Sequence, residues 1–150
     1  MQKFLFLFSL FLIAGCEKNS TLTVENDPER SVYHRQEAFK KILRDFEPLG
    51  LMHRKEIKLN LIEYQKLAEN LKNSQNDPWG YFKENTFYPP SRSKENIMTE
   101  NNIFLAEIEI YKNSVENLNL SAQKGDEKEM EFSYNALHNS CRSCHKKFRK

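Results

Sequence analysis

Apolar residues recur along this chain at alternating spacings of three and four, the period of a helix that buries one face. The first such stripe runs Val32, Phe39, Ile42, Leu43, Phe46, Leu49, with Arg35 and Gln36 on the same face. Asp27-Pro28-Glu29 ahead of it reads as a cap and first turn. A second stripe, Ile57, Leu61, Tyr64, Ala68, Leu71, fades into Asn73-Ser74-Gln75-Asn76-Asp77-Pro78, a strong stop. The third is Ile97, Asn101, Phe104, Ile108, Tyr111, Val115, Leu118, Ala122, ended by Lys124-Gly125-Asp126. The fourth runs Met130, Tyr134, Leu137, Cys141, Cys144, Phe148. Amphipathic helices in this number, mostly joined by short connections, predict an all-α fold, an antiparallel four-helix bundle. The link from Asp77 to Ser93 departs from the pattern. It carries Trp79, Tyr81, Phe82, Phe87 and Tyr88, too aromatic for a solvated loop, and is predicted to pack across the bundle.

Composition agrees with helices: four Gly and five Pro in 150 residues, and 29% charged side chains to solvate the outer faces. A formal net charge of +2 with acidic residues interleaved throughout argues against a nucleic-acid partner. The N-terminus belongs to a different class of segment. Lys3 precedes an apolar run from Phe4 to Ala14, and these 11 residues fall short of the about 20 needed to span a bilayer. They suit the core of a signal peptide. Its end, Leu12-Ile13-Ala14-Gly15-Cys16, resembles a bacterial lipobox, in which Cys16 is lipidated and becomes the mature N-terminus. The expected organisation is therefore a signal peptide at 1–15, a lipidated Cys and flexible tether at 16–30, and the bundle at 31–150. Such a protein is exported and lipid-anchored on the periplasmic side of a bacterial membrane.

The chemistry lies near the C-terminus, in Cys141-Arg142-Ser143-Cys144-His145. C-x-x-C-H supplies two thiols able to add to the vinyl groups of one haem c and an imidazole beside them to meet the iron. On a helix, Cys141, Cys144 and His145 share one face, the continuation of the apolar stripe, so the haem would enter the bundle core. The cysteine count closes on this reading, since the three Cys divide into one for lipid and two for haem. The competing readings are a structural zinc site, which would need further ligands from His34, His53 or His138, and a redox dithiol. No nucleophile–base pair or catalytic carboxylate pair stands out, so the chain is not read as an enzyme.

Further residues carry a family resemblance. Val32 with Arg35-Gln36-x-Ala38, then Pro78-Trp79 with Phe82, then Ser121-Ala122 with Gly125-Asp126, and last Cys141-x-x-Cys144-His145-x-x-Phe148-Arg149 occur in that order. The chain thereby resembles the class II c-type cytochromes, the cytochrome c′ group, over nearly all of residues 31 to 150. The resemblance implies a four-helix bundle with haem attached near the C-terminus and His145 as the axial iron ligand. It implies that Arg35 meets a haem propionate, that Gln36 lies at the haem edge, and that Arg149 stands near the proximal imidazole. It also implies that the residue facing the iron from the first helix is Phe39, which cannot ligate. Members resembling electron carriers place Met there instead. Met52 lies about 20 Å further along the helix, Met98 and Met130 belong to other segments, and His34 lies off the stripe. The resulting expectation is a monohaem cytochrome that transfers electrons to a redox partner protein, binds NO or CO, or does both. The alternative is a six-coordinate carrier ligated by Met or His, without gas binding. Homodimers through the first two helices are common in the family.

Overall fold

The computed structural model describes residues 27–150, which fold into α-helices and irregular connections without a named strand. The expected signal peptide, the expected lipidation site at Cys16 and most of the expected tether lie outside the described residues. Helix α1 spans Pro28–His53, α2 Leu61–Ser74, α3 Asn96–Thr99, α4 Asn101–Lys124 and α5 Glu127–Phe148. The long helices form the bundle: α1 packs on α2 and α5, and α4 packs on α2 and α5. No helix among these residues is long and apolar enough to cross a membrane.

The helix boundaries follow from local chemistry. Asp27 caps α1 by accepting from the Glu29 and Arg30 amides, with Pro28 in the first turn where its missing N–H costs nothing. Asn60 caps α2 by accepting from the Glu63 amide, so α2 starts four residues later than the apolar stripe suggests. Ile57 stays outside it, 42% exposed. Gly125 ends α4 in the left-handed conformation (φ 70°) and donates to the carbonyls of Ser121 and Ala122. The next residue, Asp126, caps α5 through the Lys128 and Glu129 amides. The third stripe is broken where continuity was expected. The chain leaves helical geometry at Glu100 (φ −106°, ψ 34°), separating the single turn α3 from α4. Asn101 and Asn102, poor helix-interior residues, open the new helix instead of filling the old one.

The core has two parts. Leu49, Tyr64, Leu71, Val115, Leu118 and Leu137 anchor the larger one between the long helices, each 3% exposed or less. The smaller one, Phe87, Ile97, Phe104, Ile108 and Phe148, lies where the link meets α4 and the end of α5. Trp79 packs against both. The link therefore does cross the bundle. It opens with a 3-10 turn at Trp79–Tyr81, buries Thr86 and Phe87, and contains a cis Pro89-Pro90 bond. Its last residues pair with the end of the chain: Lys94 donates to the Phe148 carbonyl, Lys150 donates to the Arg92 carbonyl, and Ser93 and Arg149 form an antiparallel bridge.

Candidate functional site

A cavity of about 680 Å³ opens between α1, α4, α5 and the link, within the size range of cofactor pockets. Cys141, Cys144 and His145 stand on its α5 wall. Both thiols are unpaired and partly buried. Burial pushes each up to about 11, with the Glu107 carboxylate adding to the effect at Cys144. At neutral pH they are therefore protonated, unlike the thiolates of dithiol redox enzymes. Among the described residues, no group of three or more His, Cys, Asp or Glu is gathered in a way that could hold a metal ion, so the pair lacks the further ligands of a structural zinc site. His145 sits at the mouth, open to solvent on one side. Its pKa is lowered, first by burial and then by the nearby charges of Arg149 and Arg92. This favours the neutral imidazole, the form that binds metals.

The facing wall comes from α1. Phe39 is half-buried there, edge-on to Trp79 (5.7 Å) and to Phe82 (6.3 Å). Ile42 and Phe46 continue the wall below it. The other side chains considered as iron ligands are elsewhere. His34 is exposed and stacks on Tyr81, and Met52 is buried in the larger core. Among the described residues, no Met lines the cavity. Arg35 and Gln36 do line it, but both reach the link: Arg35 donates four hydrogen bonds there, and Gln36 donates one to the Pro90 carbonyl.

Several cavity residues were given no role at a cofactor by the sequence alone, where His138 stood only as a candidate zinc ligand and Tyr111 only as part of an apolar stripe. His138 lies on the same wall as His145, seven residues earlier on α5, stacked on Phe46 and Tyr134. Its spacing from His145 gave the signal, two helical turns. Glu107 lines the α4 wall only 4% exposed, one oxygen held by Lys147 and the other without a partner. It falls between Phe104 and Tyr111 at the three–four spacing, so its inward face was legible too. Tyr111 shares that wall, and its hydroxyl also has no hydrogen-bond partner. Arg92, from the link, gave no such signal, because nothing periodic places a loop residue. The walls are thus largely apolar, with thiols and imidazole together on one side and arginines at the mouth. That donor set fits a flat, apolar, covalently held cofactor with a charged edge.

The family profile for cytochrome c′ matches residues 30–149. No curated protein matches the chain significantly. Solved structures do. A cytochrome c′ from Shewanella frigidimarina superimposes with a TM-score of 0.81 at 18% identity, covering 83% of this chain and 98% of that one. A cytochrome c′ from Rubrivivax gelatinosus gives 0.79 at 18% identity, again over 83% and 98% of the two chains. A mutant cytochrome c′ from Alcaligenes xylosoxidans, solved as its nitric oxide complex, gives 0.78 at 21% identity, over 83% and 97%.

Proposed function

Because this chain belongs to the cytochrome c′ family, whose members carry covalent haem c, we propose that Cys141 and Cys144 would form the two thioether links and that His145 would ligate the iron. The observation that carries this reading is the placement of both thiols and the imidazole on one helix face, on the wall of a cavity large enough for a cofactor. When bound, the haem supplies a one-electron redox centre and an iron able to take a small ligand.

The protein's own residues decide which of these the site favours. Phe39 presents a hydrocarbon ring from α1 and has no lone pair to offer a metal. Trp79 and Phe82 hold that ring on two sides. An apolar pocket admits a small uncharged molecule such as NO or CO and excludes hydrated anions, since nothing there replaces their water. The nitric oxide complex of the Alcaligenes relative accords with such a pocket. Arg149 lies four residues after His145 and lowers the basicity of the imidazole, a means of tuning the iron through its ligand. Gln36 holds the Pro90 end of the link over the cavity edge. The functional reading is a monohaem cytochrome whose iron would be held by His145 with no ligand offered from Phe39, serving electron transfer and reversible binding of NO or CO.

The family is periplasmic in bacteria. Cys16 at the end of a short apolar leader supports a lipid tether there, joined to the bundle by the polar segment that follows it.

The ferrous absorption spectrum tests the reading, on protein produced with cytochrome maturation machinery. It should be high-spin and five-coordinate, and should change on adding NO. A ferrous spectrum already low-spin without added ligand would overturn the apolar distal pocket and return the six-coordinate carrier.

A further inference from the structure

The Arg35 guanidinium is 2% exposed and carries five N–H donors. Nη1 donates to the Tyr81 carbonyl at 2.9 Å and to Thr86 Oγ1 at 3.0 Å. Nη2 donates to the Thr86 carbonyl and to Ser91 Oγ, both at 2.8 Å. All four terminal hydrogens are thereby committed to residues 81–91, and the Phe82 ring lies 4.5 Å from the guanidinium carbon. Only Nε–H is left. A guanidinium so engaged cannot offer a carboxylate the parallel two-hydrogen fork that makes such pairs strong.

Arg92, on the same cavity, is in the opposite condition. It is exposed and, among the described residues, has no carboxylate partner. Its backbone is held on both sides. Ser91 Oγ, which accepts from Arg35, also accepts from the Ser93 amide at 3.2 Å, and the Arg92 carbonyl accepts from the Lys150 amide at 2.7 Å. The side chain is thus a free cation on a fastened base. It lines the same cavity as His145.

We infer that Arg35 is a positioning residue that straps residues 81–91 across the cavity and holds Arg92 at its mouth, and that Arg92 is the cation meeting a carboxylate of the haem edge. This rests on the haem reading above and departs from the role that resemblance alone gives Arg35. The link then does more than cover the cofactor: it delivers the charge that neutralises the cofactor's edge. A cation there favours the reduced iron, which carries one positive charge fewer, so Arg92 raises the reduction potential.

The test compares wild-type holoprotein with Arg35→Lys, Arg35→Gln and Arg92→Gln by amide hydrogen exchange and by redox titration. Both Arg35 variants should speed exchange across residues 81–91 by about tenfold or more, since buried acceptors lose their donors. Arg92→Gln should leave that exchange unchanged and lower the potential. Arg35→Lys should lower the potential in the same direction although its charge is kept, because Arg92 is released. Thr86→Val, which removes one acceptor and no charge, should also loosen the segment, and serves if Arg35→Gln does not fold. Unchanged exchange in Arg35→Lys would overturn the strap. A wild-type potential in Arg92→Gln would overturn the role of Arg92. A fall in potential for Arg35→Gln with wild-type exchange would show that Arg35 meets the haem directly. Absence of covalent haem in the wild-type protein would instead defeat the haem reading itself.

Discussion

Phe39 concentrates the functional question in one side chain. Replacing it with Ala removes a ring that is only partly buried, so the expected loss of stability is about 3 kcal/mol, the low end for a Phe truncation. Over the same change, NO should bind faster, because no ring has to move aside; stopped-flow mixing measures this directly. Phe39→Met should shift the ferrous spectrum toward six-coordinate low-spin, since a thioether then faces the iron. On the opposite wall, the double variant Cys141→Ala, Cys144→Ala should lose all haem that survives denaturation, as read by a haem stain of a denaturing gel. These residues were legible in the sequence for different reasons. Cys141, Cys144 and His145 form a contiguous motif whose spacing alone puts them on one helix face. Arg35 was legible as an inward residue on the apolar stripe, but its partners were not. They come from a loop 46 to 56 residues away, and no periodicity reports where a loop folds back.

At the scale of elements, the turn between α4 and α5 does two jobs with two residues. Gly125 takes a positive φ that an L side chain resists, and a Cβ there would meet Leu61 Cδ2 at 3.2 Å. Gly125→Ala should therefore destabilise by about 1–2 kcal/mol, and thermal unfolding monitored by circular dichroism would show it. Asp126→Ala, which frees two amides at the head of α5, should cost about 1 kcal/mol by the same measurement. Both devices stand openly in the sequence as Gly-Asp between two apolar stripes, and so does the Asp27-Pro28 start of α1. The break between α3 and α4 was hidden, because Ile97 fits the spacing of the stripe that follows. In the structure Ile97 is 1% exposed, buried in the smaller core from its own turn rather than by extending α4.

For the whole molecule, the cavity unites regions far apart in the chain: α1 provides one wall, α5 the other, and the link crosses between them. The bundle could be anticipated from its four stripes, whereas the clasp of residues 92–94 on the end of the chain could not. It consists of backbone hydrogen bonds between residues that form no stripe. Cys16→Ala should leave haem content and spectrum unchanged while releasing the protein from membranes, because the cavity is lined by residues between Arg35 and Arg149 and the substitution leaves the apolar leader in place; fractionation followed by haem staining separates the two outcomes.

Trp79, the single tryptophan of the chain, stands on the wall of this cavity. A porphyrin absorbs where indole emits, and transfer of excitation over a few ångströms is nearly complete. The protein therefore carries an internal optical gauge of its own loading and integrity. Holoprotein should be almost dark on excitation of the indole, haem-free protein bright, and unfolding of the holoprotein should restore emission as residue 79 and the C-terminal helix move apart.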